Sequence, residues 1–543
     1  MNNNYIKIWA ARIICGLFFC LFFTQTKAQQ RFLSLSQEYN TKVEQLIDNP
    51  EHITHPSIRP YRIAEINKLD STILKYSSFQ KKNPFSGKIS GWAFNRLFNK
   101  NFFEINKKDV HFVVNPLINF SGGRDFQTNT TLWTNSRGIE IYGDLGKNFS
   151  FYTSFHETQG LFPEYENQYI RKNRIIPGLG LSRKFEYGEG YDYSWATGYI
   201  SYTPNKFFNI QFGTGKNFFG NGYRSMILSD NAFSYPFLKV ETTFWRIKYI
   251  NLYTELQDIN YSSKRLGYAK KYTTMHYLDY AVNKRLNIGI FETIVFQAKD
   301  TTGYRGFDMG YLNPIIFYRP VEYSRNSPDN ALLGLNISYK LSKGIMLYGQ
   351  AMLDEFRLME ITSGKGWWAN KQGYQLGVKV YDAFKVKNLF LQSEFNMGRP
   401  YLYSHWDGLQ AYGHLNAPLA HTLGANFRES VNIIKYNYQR WFLRYEFMYA
   451  LFGDDQNEKS FGRDVFRSYL DRDHNYGVYI GQGNQAELYF QRLKLSYLFN
   501  RNYNLNAFID LRVRSQAGGY NSGDNTSISV GIATSLENVY NDF

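Results

Sequence analysis

Arg440 to Leu451 reads Arg-Trp-Phe-Leu-Arg-Tyr-Glu-Phe-Met-Tyr-Ala-Leu, and its period is two. Trp441, Leu443, Tyr445, Phe447 and Tyr449 share one face of an extended chain, while Arg440, Arg444 and Glu446 share the other. Tyr503 to Arg514 repeats the pattern, with Leu505, Ala507, Ile509, Leu511 and Val513 opposed to Asn504, Asn506, Asp510 and Arg512. Phe208, Ile210 and Phe212 against Asn209 and Gln211 form a shorter version. A strand of about ten residues, apolar on one side and polar on the other, is what a bilayer-spanning barrel requires, because every backbone amide must pair within the wall.

Composition agrees. Of 543 residues 18% are aromatic, with 45 Tyr and 45 Phe, yet mean hydropathy is −0.45. Many rings with little aliphatic core suit strands that need only one apolar face and are girdled by aromatic residues. Runs of this kind number about eighteen from Asp109 onward. Short links at Asp144–Lys147, Thr203–Lys206, Val282–Arg285, Leu341–Gly344 and Phe499–Asn502 alternate with long ones. The long ones are Thr158–Gly190, Lys216–Pro236, Ala298–Asn330, Pro400–Phe427 and Phe452–Asn484. Such alternation places tight turns on the periplasmic side and long loops outside the cell. With an even strand count the last strand, from Thr526, returns to the periplasm and ends on Phe543, a terminal aromatic of the kind the outer-membrane insertion machinery reads, although Asn541 sits where an apolar residue is usual.

The first 108 residues differ. Lys7 and Arg12, the apolar run Ile13–Phe23 and Thr26-Lys27-Ala28 read as a signal peptide over residues 1–28. No later window reaches the eighteen apolar residues of a membrane-spanning helix. Cys15 and Cys20 both lie in that signal, so the mature chain has neither disulfides nor thiolate metal sites, and Phe18-Phe19 before Cys20 argues against lipidation. Removing Lys7, Arg12 and Lys27, with no acid among the first 28 residues, lowers the net charge by three, from +16 to +13. Residues 29–108 show helical spacing at Leu35, Tyr39, Val43 and Leu46, again at Ile63, Ile66, Leu69 and Ile73, and over Gly91–Phe103. They are expected to form a helical periplasmic or plug subdomain docked on the barrel of residues 109–543.

Lys216 to Pro236, KNFFGNGYRSMILSDNAFSYP, interrupts the alternation. Turn signals at Gly220-Asn221-Gly222 and Ser229-Asp230-Asn231 enclose the apolar Met226-Ile227-Leu228, so the loop is expected to fold inward over the lumen with that knot buried and Tyr223 and Arg224 beside it. Other loops mix rings with polar groups: Trp367, Trp368, Tyr401, Tyr403, Trp406 and Tyr412 with Arg399, His405, Asp407 and Asn416. Sugar rings stack on aromatic faces through their C–H bonds while carboxylates, amides and imidazoles take the hydroxyls. These residues, with Tyr223, Arg224, His414 and His421, are therefore candidates for glycan contact, the alternative for many of the rings being an interfacial girdle. The basic runs Arg171–Arg174 and Lys264–Lys271 suit anionic polysaccharide or lipopolysaccharide phosphates.

Several chemistries are excluded or disfavoured. Gly213-Thr214-Gly215-Lys216 lacks the first glycine of a phosphate loop. His405, His414 and His421 with Asp407 are too widely spaced for a zinc site. No Ser, His and acid triad stands out. The expectation is no enzyme, no cofactor, no metal and no nucleic-acid partner.

The run Gly220–Ala232 resembles the G-x-G-x-x-S-x-x-x-S-x-N-A loop of the Wzi family of outer-membrane capsule-assembly proteins. Pro400–His405, His414–Phe427, Leu347–Gln350, Asp354–Phe356 and Trp367–Gly373 are similar to the branch of that family in gliding Bacteroidota, the gliding motility protein RemB. The likeness runs from about residue 105 to the end, while the N-terminal helices do not match it. It implies an eighteen-stranded barrel closed by N-terminal helices, and a non-catalytic role in binding exported polysaccharide at the cell surface, in capsule assembly or in support of gliding. A diffusion porin, or a docking platform for a surface adhesin or secretion complex, are the alternatives.

Overall fold

The computed structural model describes residues 30–75, 79–85, 87–185, 188–263, 267–300, 303–315, 329–355, 357–456 and 458–543. The expected signal segment 1–28 lies outside them, as do Lys264 and Arg265. Eighteen antiparallel strands close into a barrel. They are β1 Val110–Asp125, β2 Thr130–Leu145, β3 Phe149–Leu161, β4 Tyr191–Tyr202, β5 Phe208–Gly215 and β6 Tyr235–Phe244. Next come β7 Ile247–Ser263, β8 Gly267–Ala281, β9 Leu286–Gln297, β10 Asn330–Ser342, β11 Ile345–Leu353 and β12 Gln372–Tyr381. The circuit ends with β13 Leu389–Gly398, β14 Phe427–Tyr438, β15 Trp441–Asp454, β16 Asn484–Asn500, β17 Leu505–Gly518 and β18 Gly523–Thr534. β18 returns to β1, pairing Ser527 with Asp125 through Ala533 with Asn119.

The faces alternate as the sequence requires. On β5, Phe208, Ile210 and Phe212 point outward and are exposed, whereas Asn209 and Gln211 are buried in the lumen. On β15, Trp441 and Leu443 are exposed and Glu446 is buried. All the long connections leave one end of the barrel, here the loop end. The alternation is not strict, because the connections 126–129 and 519–522 at that end are also short.

The lumen is filled. Residues 30–75 carry α1 Thr41–Ile47 and α2 Ile63–Leu69, shorter than the apolar spacing implied, and enter from the end opposite the loops, here the plug end. The plug's acids meet the wall's lysines: Glu44 with Lys379 at 3.1 Å, Glu65 with Lys248 at 2.8 Å and Glu38 with Lys494 at 2.7 Å. Burial alone would push the Glu44 carboxyl up, but Lys379, Arg59 and Lys435 together hold it below its ordinary value. From the other end the 216–236 loop descends to meet the plug, pairing Phe218 and Phe219 with Arg59 and Ile58. Met226, Ile227 and Leu228 are fully buried, as expected. A Cβ on Gly222 would collide with the Glu394 carboxylate, which accepts from the amides of Tyr223 and Arg224, so glycine is required there.

Two segments depart from the sequence reading. The third helix, α3 Lys88–Phe98, lies against the outward face of β16 instead of inside the barrel, with Phe98 on Phe499. The last strand stops at Thr534, and residues 535–543 turn back into the lumen. Phe543 is buried against Tyr165 and Tyr169 of α4, Glu164–Asn173, and its carbonyl accepts from Arg514 at 3.0 Å. It therefore does not terminate a wall strand. Asn541, the apparent misfit, donates to Glu166 at 2.6 Å, a polar contact that a lumen position calls for.

Lys379→Met removes the cation from Glu44 and also from Asp48, 3.7 Å away. Stranding buried carboxylates costs about 3–5 kcal/mol. The expected result is a lower thermal midpoint and earlier protease cleavage within residues 30–75 while the barrel keeps its heat-modifiable gel mobility.

Candidate functional site

The roof over the lumen is assembled from three loops. Tyr403 donates its hydroxyl to the Met226 carbonyl at 2.6 Å and Tyr412 to that of Ile227 at 3.0 Å. Ser229 N–H donates to the Leu419 carbonyl at 2.8 Å. The 400–426 loop thus sits directly on the buried apolar knot, and the 455–483 loop covers its edge, where the Tyr401 hydroxyl donates to the Ser460 carbonyl at 2.9 Å.

Beneath the roof, Arg224 binds Glu429 of β14 at 3.0 Å and Asp542 of the tail at 2.9 Å. His421 joins them: its Nδ1 accepts from Leu423 N–H at 3.2 Å, so Nε2 carries the proton donated to Glu429 at 2.8 Å. Burial pushes the His421 imidazole below its ordinary value, with Glu429 pulling the other way. Tyr223 donates to Asp542 at 3.1 Å. His414 Nδ1 accepts from Gln257 N–H at 3.0 Å, and Asp407 accepts from Leu409 N–H at 3.0 Å as the cap of a short helical turn. Tyr223, Arg224, Tyr401, Tyr403, His414 and His421 are all buried with roles in holding loops together.

The remaining candidates form a row of rings at the roof's surface in which His405 is the buried link. Trp367 meets Trp368 at 6.2 Å between centroids, Trp368 meets Tyr469 at 4.7 Å, Tyr469 meets His405 at 6.0 Å and His405 meets Trp406 at 5.6 Å. Trp406 is 41% exposed and Trp367, Trp368 and Tyr469 are partly exposed. Arg472 lies 4.2 Å over Trp368 and Arg357 5.0 Å over Trp367, leaving cationic edges beside ring faces. Tyr469, Arg357 and Arg472 were not among the sequence candidates. For Tyr469 and Arg472 the signal was the long 452–484 connection itself, which carries them with Tyr476 between charged residues, whereas Arg357 lies in the connection between β11 and β12, ten residues before Trp367. No cluster of metal-ligating side chains is present among the described residues.

Two cavities among the described residues flank the tail in the lumen. One of about 270 Å³ runs along the wall beside Tyr193, Trp195 and His156, where the Trp195 and His156 rings stack at 4.2 Å. The other, of about 380 Å³, lies toward the plug beside Arg31, Tyr142, Tyr199 and Lys239. Leu536, Glu537 and Asn538 of the tail line both. Asn538 donates to the Leu35 carbonyl and to Asp230, each at 2.8 Å, and the Tyr540 hydroxyl donates to Asp230 at 2.7 Å. The tail is the partition between the two spaces.

No family model matches the sequence, and no curated protein does. Among solved structures, Wzi of Escherichia coli, an outer-membrane protein involved in group 1 capsule assembly and a carbohydrate-binding β-barrel, superposes with a TM-score of 0.55 at 11% identity, covering 93% of this chain and 100% of Wzi. OprD of Pseudomonas aeruginosa gives 0.41 at 11% identity over 78% of this chain and 94% of its own. OccAB2 of Acinetobacter baumannii gives 0.43 at 9% identity over 78% and 96%. The likeness to Wzi is one of fold, an eighteen-stranded antiparallel barrel with a few helices.

Burial, with Lys371 and Lys271 adding repulsion, pushes His405 and His414 from 6.5 down to about 3. Between those values the released loop binds protons that the closed roof excludes. Roof stability is therefore full above pH 6.5 and falls on acidification, by about 1.4 kcal/mol per pH unit for each histidine. Protease cleavage within residues 400–426 is expected to accelerate from neutral to acid pH, and the double variant His405→Gln, His414→Gln to weaken that dependence, leaving the part that His421 supplies.

Proposed function

We propose that this chain is a non-catalytic outer-membrane barrel that holds surface polysaccharide on its outward loops, with the plug end in the periplasm. The observation that carries the reading is the row Trp367–Trp368–Tyr469–His405–Trp406 with Arg357 and Arg472 at its edge. Ring faces take sugar C–H surfaces, and the guanidinium edges take hydroxyls, carboxylates or phosphates of an anionic glycan. The roof is pinned to a filled lumen, so the row is preorganised and little conformational entropy is lost when a chain settles on it. The motif resemblance extends the reading to capsule retention or gliding, and the likeness of fold to a carbohydrate-binding barrel agrees with it.

The experiment is retention of the producing strain's own surface polysaccharide by the purified barrel in detergent. Trp368→Ala with Trp406→Ala is expected to weaken retention at least tenfold, with unchanged thermal stability. Equal retention by parent and variant rejects the row as the site. Unchanged surface glycan and spreading in a deletion strain rejects the biological role.

A second reading, a gated passage for small polar solutes, is favoured by the tail partition. Residues 536–538 line both cavities, and moving them would join the two. In planar bilayers the parent is expected to be closed, and Asn538→Ala with Tyr540→Phe and Asp542→Ala to show step conductance. A variant as silent as the parent leaves the binding platform as the sole reading.

A further inference from the structure

After Phe79, whose ring stacks on the inward-facing Phe442, the segment as far as Lys108 lies at the outside of the barrel at the plug end, and its helix presents an apolar face that none of the described residues covers. Along α3, Ile89, Trp92, Ala93 and Leu97 are exposed, at spacings of three, four and eight residues that align them on one side of a helix. Ile89 is 84% exposed and Trp92 51%, which is costly for such side chains in water. Phe85 ahead of the helix and Phe102, Phe103 and Ile105 after it are exposed as well.

The opposite side of α3 is tied to the wall. Phe98 packs on Phe499 at 6.0 Å, and Lys81 reaches the Tyr497 hydroxyl at 2.6 Å. The turn after β16 holds the helix C-terminus: Asn500 and Tyr503 donate to the Arg96 carbonyl at 2.8 and 3.1 Å. Tyr497 and Phe499 continue the outward row Tyr489, Leu493 and Leu495 of β16, which faces the bilayer core. The helix therefore begins where the hydrocarbon-facing row ends, and its bare face is continuous with that row. The short strand Phe103–Lys107 then pairs with β1 along the stretch that β18 leaves vacant, with Phe103 and Ile105 on the lipid side beside Val110.

Charge selects the occupant. Lys82, Lys88, Lys100, Lys107 and Lys108 are exposed along this segment, and its one acid is Glu104, which binds His111 at 3.2 Å. An amphipathic helix with an apolar face at the rim of the hydrocarbon and a surplus of lysine is the arrangement that lies in a leaflet carrying anionic headgroups.

We infer that residues 79–108 form an interfacial anchor that binds anionic phospholipid in the leaflet at the plug end. Ile89, Trp92 and Leu97 enter among the acyl chains, while the lysine stems extend along the apolar surface and place their ammonium groups on the phosphates. The anchor covers the seam where the first and last strands meet, over the stretch of β1 that β18 does not reach. This inference rests on the barrel's spanning a membrane, not on what its loops bind.

The test uses the full chain, whose residues beyond 28 contain no cysteine. Single cysteines at Ile89, Ala93 and the wall position Leu347 are labelled with an environment-sensitive fluorophore. The labelled proteins are reconstituted in vesicles of phosphatidylethanolamine and phosphatidylglycerol. Labels at 89 and 93 are expected to be quenched by acyl-brominated lipid nearly as strongly as the label at 347, and shielded from aqueous iodide. Iodide access at 89 and 93 with lipid quenching at 347 overturns the anchor, and so does shielding from both quenchers, which marks a protein partner or a second copy. Absence of lipid quenching at 347 overturns the barrel's membrane placement instead. Lys82→Gln with Lys88→Gln and Lys100→Gln, or vesicles of phosphatidylcholine alone, are expected to raise iodide quenching at 89 severalfold; no change overturns the preference for anionic headgroups.

Discussion

A barrel wall whose outer face is apolar sends its polar residues inward, and once the lumen is filled each of them needs a partner that water no longer supplies. That constraint decides what fills the barrel. The wall offers Lys248, Lys379 and Lys494, and the plug answers with Glu65, Glu44 with Asp48, and Glu38. Lys340 and Lys435, which meet no acid at such range, are satisfied by the carbonyls of Ile47 and Gln37 at 2.9 and 2.8 Å. Asp279 works in the other direction, accepting from Ser57 at 2.7 Å and facing His55 at 2.6 Å. An apolar plug of equal volume would leave all of these groups stranded, so the plug is polar by necessity and its register in the barrel is fixed by charge.

The same constraint builds upward. Plug residues Ile58 and Arg59 pair with Phe219 and Phe218, the 216–236 loop sets Met226 to Leu228 above them, and the tyrosines of the 400–426 loop hydrogen-bond to that knot's carbonyls. Each layer offers backbone groups to the next, which is why loops that would otherwise be mobile become a roof. A row of rings on such a roof keeps its spacing without a ligand.

Much of this was legible and some was not, for identifiable reasons. The strand count and the orientation of the long connections follow from period two, and the burial of Met226-Ile227-Leu228 from an apolar knot enclosed by turn signals. The position of α3 was not legible, because Ile89, Trp92 and Leu97 make the same helical stripe whether it faces a lumen or a leaflet. Nor was the tail: Phe543 at the end of an alternating run reads as a wall residue, and only the contacts of Asn538, Tyr540 and Asp542 with the interior reveal the reversal. Among the loop residues, Tyr403 and Trp406 are three positions apart and one is fully buried while the other is 41% exposed. Ring content alone does not separate a residue that builds the roof from one that faces outward.

The tail joins the fill through both charge and hydrogen bonds. The Arg224 guanidinium serves two acids, Glu429 and Asp542, while Glu394 accepts from the backbone amides of Tyr223 and Arg224 and His421 donates a neutral hydrogen bond to Glu429. Burial pushes Asp542 above its ordinary value, against the pull of Arg224, and its Oδ1 is buried with no hydrogen-bond partner. A partition fixed mainly by amide and hydroxyl hydrogen bonds at Asn538, Tyr540 and Asn541 is one that water or a polar solute can compete for, while the lysine–acid pairs that hold the plug are not.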